Sequence, residues 1–129
     1  MAEPVNPLFL SVEAVLQIHD KVSGAEILDP DYLDSAVKAV EHFVIYGDWS
    51  DLFDIAAAYA FHISEAHAFL HGNKRTALVA CLDFLKLNGI NTAGYDDWEL
   101  FEMMMALANH QLSREGVASK LRTLLPVRL

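Results

Sequence analysis

The chain has 129 residues, 53% of them hydrophobic and 21% charged, a balance that fits one globular domain with its own core and argues against a disordered chain. Nine Lys and Arg face 18 Asp and Glu, for a formal net charge of −9. That balance argues against broad electrostatic capture of DNA, RNA or an anionic membrane, so a phosphate-bearing ligand requires positive charge concentrated at one place.

The elements follow from apolar periodicity. From Ser11, a candidate N-cap, Val12, Val15, Leu16 and Ile18 recur at helical spacing towards a stop at Gly24. "DPDYLDSAVKAVEHFV" opens a second helix, with Asp29 as cap, Pro30 in the first turn and Leu33, Ala36, Val37, Val40 and Val44 on one face. "IYGDWS" interrupts it, and residues 42–49, "HFVIYGDW", offer the one stretch with some alternating character. Ser50 is expected to open a third helix through "DLFDIAAAYAFHISEA", and Asn73 a fourth that ends at Asn88-Gly89. Both are apolar nearly all round, which predicts burial on most sides and a central helical hairpin joined by "HAFLHG". "DDWELFEMMMALANHQL" and the Ser113-capped "SREGVASKLRTLL" read as a fifth and a sixth helix. The expected class is therefore all-α, a compact bundle of about six helices. With no internal repeat or linker, residues 1–129 read as a single domain.

Cys81 stands alone, which leaves no disulfide framework and no thiolate zinc site; it reads as a small buried residue in a reducing, cytoplasmic setting. The N-terminal "MAEPVNPLFL" has neither a basic n-region nor a long apolar run, so no signal peptide is expected, and no stretch approaches the ~20 apolar residues of a membrane span.

Polar chemistry gathers between the two apolar helices, in "AHAFLHGNKRTA". Gly72 allows close approach of backbone to a ligand, and the amides of Asn73, Lys74 and Arg75 open a helix, where the dipole and free N–H groups favour an anion. Lys74 and Arg75 add cationic side chains suited to phosphate. His67, at the end of the preceding helix, is a candidate general base for a hydroxyl nucleophile. Imidazoles at His62, His67 and His71 also suit zinc or nickel, although no Asp or Glu lies in that loop to join them. His19-Asp20 resembles the metal-binding pair of HD-domain phosphohydrolases but lacks the further ligands in order. Met103 to Ala106, "MMMA", reads first as a core-facing run and second as an adaptable binding surface.

The run His67-Ala68-Phe69-Leu70-His71-Gly72-Asn73-Lys74-Arg75 resembles the signature of the Fic/Doc family, H-x-F-x-[D/E]-[A/G]-N-[G/K]-R, at every specified position except the acidic one. "FLSVEAVLQIHD", "DPDYLDSAV" and "NKRTALVACLDFLKLNG" extend the resemblance over most of the chain, towards the short Doc-type (death on curing) toxin branch. The resemblance implies a helical transferase that moves a phosphoryl or nucleotidyl group from ATP to a protein hydroxyl. His67 falls at the family's general base, Gly72, Asn73, Lys74 and Arg75 at its phosphate cradle, and Phe69 at its apolar loop anchor. Lys74, where AMP-transferring members have glycine, resembles the Doc pattern and implies phosphoryl transfer, in Doc toxins to elongation factor Tu. It further implies Mg2+, a cognate antitoxin and a host protein target, while the acidic charge balance argues against a direct partnership with nucleic acid or membrane. AMP transfer, and a catalytically impaired module that only binds nucleotide or antitoxin, are the alternatives.

His71 occupies the family's magnesium-binding position, where imidazole is a poor substitute for a carboxylate. It reads equally as a ligand of some other kind or as an exposed loop residue. Residues 42–49 fall where the family has a flap that aligns a target segment by edge pairing. The family's inhibitory pattern [S/T]-x-x-x-E-[G/N] is not matched, since Gln111 stands where Ser or Thr is needed before Glu115-Gly116, so restraint is expected from another chain.

Overall fold

The computed structural model describes residues 6–24 and 26–125. They form six helices: α1 (Val12–Val22), α2 (Pro30–Tyr46), α3 (Leu52–Ala66), α4 (Asn73–Leu87), α5 (Asp97–Ala108) and α6 (Arg114–Leu124). The all-α expectation holds. α3 is the axis, packing on α2, α4 and α6, while α1 and α5 lie against α4. Ala56, Ala57, Ala58, Tyr59 and Ala60 are consecutive and all inaccessible, as in a helix covered on every side. Alanine suits that position because its small side chain lets neighbouring backbones come close.

Caps set the boundaries. Ser11 accepts the Ala14 N–H, Asp29 the Asp31 N–H with Pro30 behind it, and Ser113 the Gly116 N–H. α3 departs from expectation by one residue. Asp51, not Ser50, is its cap, because Asp54 lies three residues on and its carboxylate reaches back to the Asp51 N–H, closing a capping box. Ser50 donates its own N–H to Asp54 Oδ2 at 2.7 Å. Arg122 of α6 then spans both carboxylates, 2.7 Å from Asp51 and 2.7 Å from Asp54.

The flap expected at residues 42–49 is not extended. α2 continues to Tyr46, because Val40 and Phe43 keep its core face occupied, and it ends where the Gly47 N–H returns to the Phe43 carbonyl. Ile45 and Tyr46 are left on its exposed side. α5 likewise ends earlier than expected, at Ala108, and His110 turns the chain at φ 59°.

Candidate functional site

The loop between α3 and α4 is held by residues far from it in sequence. His67 ends α3 in the left-handed region, φ 49° and ψ 41°, so the chain leaves the helix sharply. Residues 68–70 then run antiparallel to residues 26–28. The Leu28 N–H donates to the Ala68 carbonyl at 2.7 Å, the Leu70 N–H donates to the Glu26 carbonyl at 2.9 Å, and Phe69 forms a bridge with Ile27.

Phe69 is 1% exposed and is gripped twice. Asn73 donates Nδ2–H to its carbonyl at 2.8 Å and accepts its N–H at 3.2 Å. His19 of α1 stacks on its ring with centroids 3.6 Å apart and planes 6° from parallel. The His19 Nε2 also lies 3.0 Å from the His71 carbonyl. A carbonyl only accepts, so this nitrogen carries the proton.

Gly72 follows at φ +83°, and a Cβ there would stand 2.7 Å from the Ser23 Cβ. Glycine is therefore required twice over, by conformation and by space. α4 begins with no side-chain cap, and its first internal bond runs from the Thr76 N–H to the Gly72 carbonyl at 2.9 Å. The amides of Asn73, Lys74 and Arg75 precede that bond and have no helical acceptor. The Lys74 and Arg75 side chains are exposed, and neither is ion-paired among the described residues. Positive potential thus collects at one helix start in a strongly acidic chain.

Those groups line one end of a cavity of about 800 Å3. His71, Gly72, Asn73, Lys74 and Arg75 supply its polar end, with Val22 and Ser23 of the α1 end beside them. Leu78, Val79 and Leu82 of α4 face Leu100, Phe101, Met104 and Met105 of α5 along its apolar walls. Asp97 is its one lining carboxylate. Free amides and cationic side chains at one end and an apolar trough at the other make a layout suited in shape and charge to an elongated anionic ligand.

The residues singled out from sequence divide clearly. Gly72, Asn73, Lys74, Arg75 and His71 come together on the cavity; exposed His67 stands at the other end of the loop and does not line it. Phe69 anchors the loop as expected, and the Asn73 side chain does so too, leaving its backbone N–H for a ligand. His62 belongs to a different neighbourhood. Burial and the Arg114 guanidinium hold its imidazole below the ordinary range, with Glu65 opposing them. No group of three His, Cys, Asp or Glu residues suited to holding a metal occurs among the described residues. Met103 and Met104 are buried as a core run should be, yet Met104 and Met105 also reach the cavity wall.

Sequence reading missed the α5 wall and Ser23 at α1's end, and took His19 only as half of a metal-pair resemblance. A signal existed for His19: an imidazole directly after Val15 and Ile18 on an otherwise apolar face needs a partner somewhere. Nothing in the sequence says that the partner lies 52 residues away.

Comparison with known proteins gives an independent line. The model of the Fic/DOC family matches residues 9–85, which takes in the loop and most of α4. The chain is 32% identical over 120 residues to the "Protein kinase doc" of Escherichia phage P1, covering 89% of this chain and 94% of that protein. It is 34% identical over 118 residues to the "Toxin Doc" of Mycolicibacterium smegmatis, covering 88% of this chain and 90% of that one.

Proposed function

Since this chain belongs to the Fic/Doc family, we propose that it is a Doc-type toxin transferring the γ-phosphoryl group of ATP to a hydroxyl group of a host protein. The observation that carries the reading is the uncapped start of α4, whose free amides, Lys74 and Arg75 open onto the cavity beside Gly72. ATP supplies the phosphoryl group and departs as ADP. The amides of residues 73–75 receive phosphate oxygens, and Arg75 offers parallel N–H donors that restrain them. The apolar walls of α4 and α5 give the nucleoside a dry surface. His67, exposed at the loop's far end, accepts the proton of the attacking hydroxyl as its oxygen bonds to phosphorus and the bond to the departing ADP breaks. Lys74 in place of glycine, together with a relative named as a protein kinase, favours phosphoryl over AMP transfer.

Magnesium does not fit His71, because a hard cation takes oxygen donors, and no step is assigned to it there. The same substitution favours one second reading: a module that binds nucleotide or antitoxin without transfer. On either reading the proposed partner is a cognate antitoxin, by analogy with the relative named as a toxin. The proposed target is a Tu-type elongation factor, and the proposed setting is the cytoplasm. No helix among the described residues is long and apolar enough to cross a membrane.

Incubation of the protein and a bacterial lysate with ATP labelled at the γ- or the α-phosphate decides between these readings. Transfer of γ label alone to a host protein is the expected result. Transfer of α label means AMP transfer, and ATP binding with no transfer of either label leaves the binding module.

A further inference from the structure

The motif that the proposed reaction leaves unused is the histidine of α1. His19 is 3% exposed, so its imidazole has given up water and must be repaid within the fold. The payment is directional. The parallel stack on Phe69 fixes the plane of the His19 ring, and its Nε2 lies 3.0 Å from the carbonyl oxygen of His71.

That carbonyl belongs to the peptide joining His71 to Gly72, the residue that caps α4. The described chain contains no cis peptide, and in a planar trans peptide the C=O and N–H point in opposite directions. By holding the His71 oxygen towards α1, His19 turns the Gly72 N–H away from α1. This N–H has no acceptor among the described residues. Gly72 is left-handed, φ 83° and ψ 15°, and the helical Asn73 follows. Successive left- and right-handed residues make their N–H groups converge into an anion-binding concavity. The donors of that concavity therefore run from Gly72 to Arg75, one more than the helix alone provides. Ser23 packs against Gly72 on the side where a Cβ would stand.

We propose that His19 is a positioning residue of the transfer site, which sets the His71–Gly72 peptide so that the Gly72 N–H joins the phosphate-binding amides. The inference rests on reading this loop as a phosphate site. It separates two functions of one side chain, which two substitutions isolate. His19→Phe keeps the stack and loses the donor; His19→Gln keeps a side-chain N–H and loses the aromatic face.

The first measurement needs no ligand and no activity. In 15N-labelled full-length protein, His19 is expected as the Nε2–H tautomer with a slowly exchanging imidazole proton. His19→Phe is expected to displace the amide resonances of residues 72–75, and His19→Gln to return them towards their original positions. An Nδ1–H tautomer, or unmoved amides in a folded His19→Phe, overturns the proposal. The second measurement is transfer from ATP, where His19→Phe is expected to lose about a hundredfold in kcat/KM and His19→Gln about tenfold or less. Equal losses in the two variants assign His19 to packing alone and overturn the proposal. If His19→Phe does not fold, the wild-type tautomer and the His19→Gln amide pattern decide. Should the unmodified protein transfer nothing, the kinase reading fails while the resonance test still rules on His19.

Discussion

Asn73 holds both backbone groups of Phe69, accepting its N–H at 3.2 Å and donating to its carbonyl at 2.8 Å. Only one orientation of the amide satisfies both, since a flipped group would set donor against donor. Asn73→Ala leaves a part-buried N–H and carbonyl without partners and is expected to cost about 1–2 kcal/mol. Asn73→Asp keeps the acceptor but faces a carboxylate towards the Phe69 carbonyl. It is expected to destabilise comparably and to weaken phosphate binding further, through like charge at the helix start. Urea unfolding of the two variants checks the first expectation and ATP titration the second; a wild-type midpoint for Asn73→Ala contradicts it.

Gly72→Ala combines a left-handed φ of +83° with a Cβ 2.7 Å from that of Ser23. Conformation alone costs about 1 kcal/mol, and the collision adds to it. The two contributions are separable. Ser23→Gly removes the atom in the way, so the double variant is expected to recover the steric part while the conformational part remains. A thermal-unfolding cycle reads this directly, and additive losses would show that Ser23 is not the obstacle.

His67 also sits in the left-handed region, at φ 49°, where a side chain is costly. His67→Gly is expected to raise stability by about 0.5–1 kcal/mol and to abolish phosphoryl transfer. Opposite movement of the two quantities is the trade-off expected where a strained residue serves a site. Activity surviving in a folded His67→Gly protein removes this residue from the role of base.

The Asp51 carboxyl feels burial, which pushes its pKa up, but hydrogen bonds from Arg122 and from the Asp54 and Phe53 amides prevail and hold it below the usual range. As pH falls, the unfolded chain takes up that proton first, so this part of the stability is complete above about pH 4 and is lost through the folded pKa. Arg122→Gln is expected to cost about 1 kcal/mol at pH 7, a modest figure because the pair is partly solvated. The gap from wild type is expected to narrow at pH 3. A gap that stays constant between the two pH values would mean that Arg122 stabilises by packing alone.

What was legible in the sequence is what local rules govern. Ser11, Asp29 and Ser113 cap helices because a short polar side chain reaches an amide two or three residues on, a relation visible in any linear string. The motif from His67 to Arg75 was visible for the same reason. Ser50 misled because Ser and Asp are comparable caps, and only the carboxylate of Asp54 breaks the tie in favour of Asp51. Residues 42–46 misled because β-branched and aromatic residues at the end of a helix look like a strand, whereas Phe43 and the Gly47 cap keep them helical. The cavity's α5 wall and the His19 contact were invisible, since both depend on which helices pack against α4.

The bridge between Ile27 and Phe69 bears on how the site can be taken apart. A fragment holding only α3, the loop and α4 would carry every letter of the motif and still lack its shape, because the partners of Ala68, Leu70 and the His71 carbonyl reside in α1 and the strand-like passage behind it. The proposed phosphate binding is therefore not a property that this hairpin could lend to another scaffold. Whoever transplants the motif must bring residues 19–29 along, or receive two helices joined by an undirected turn.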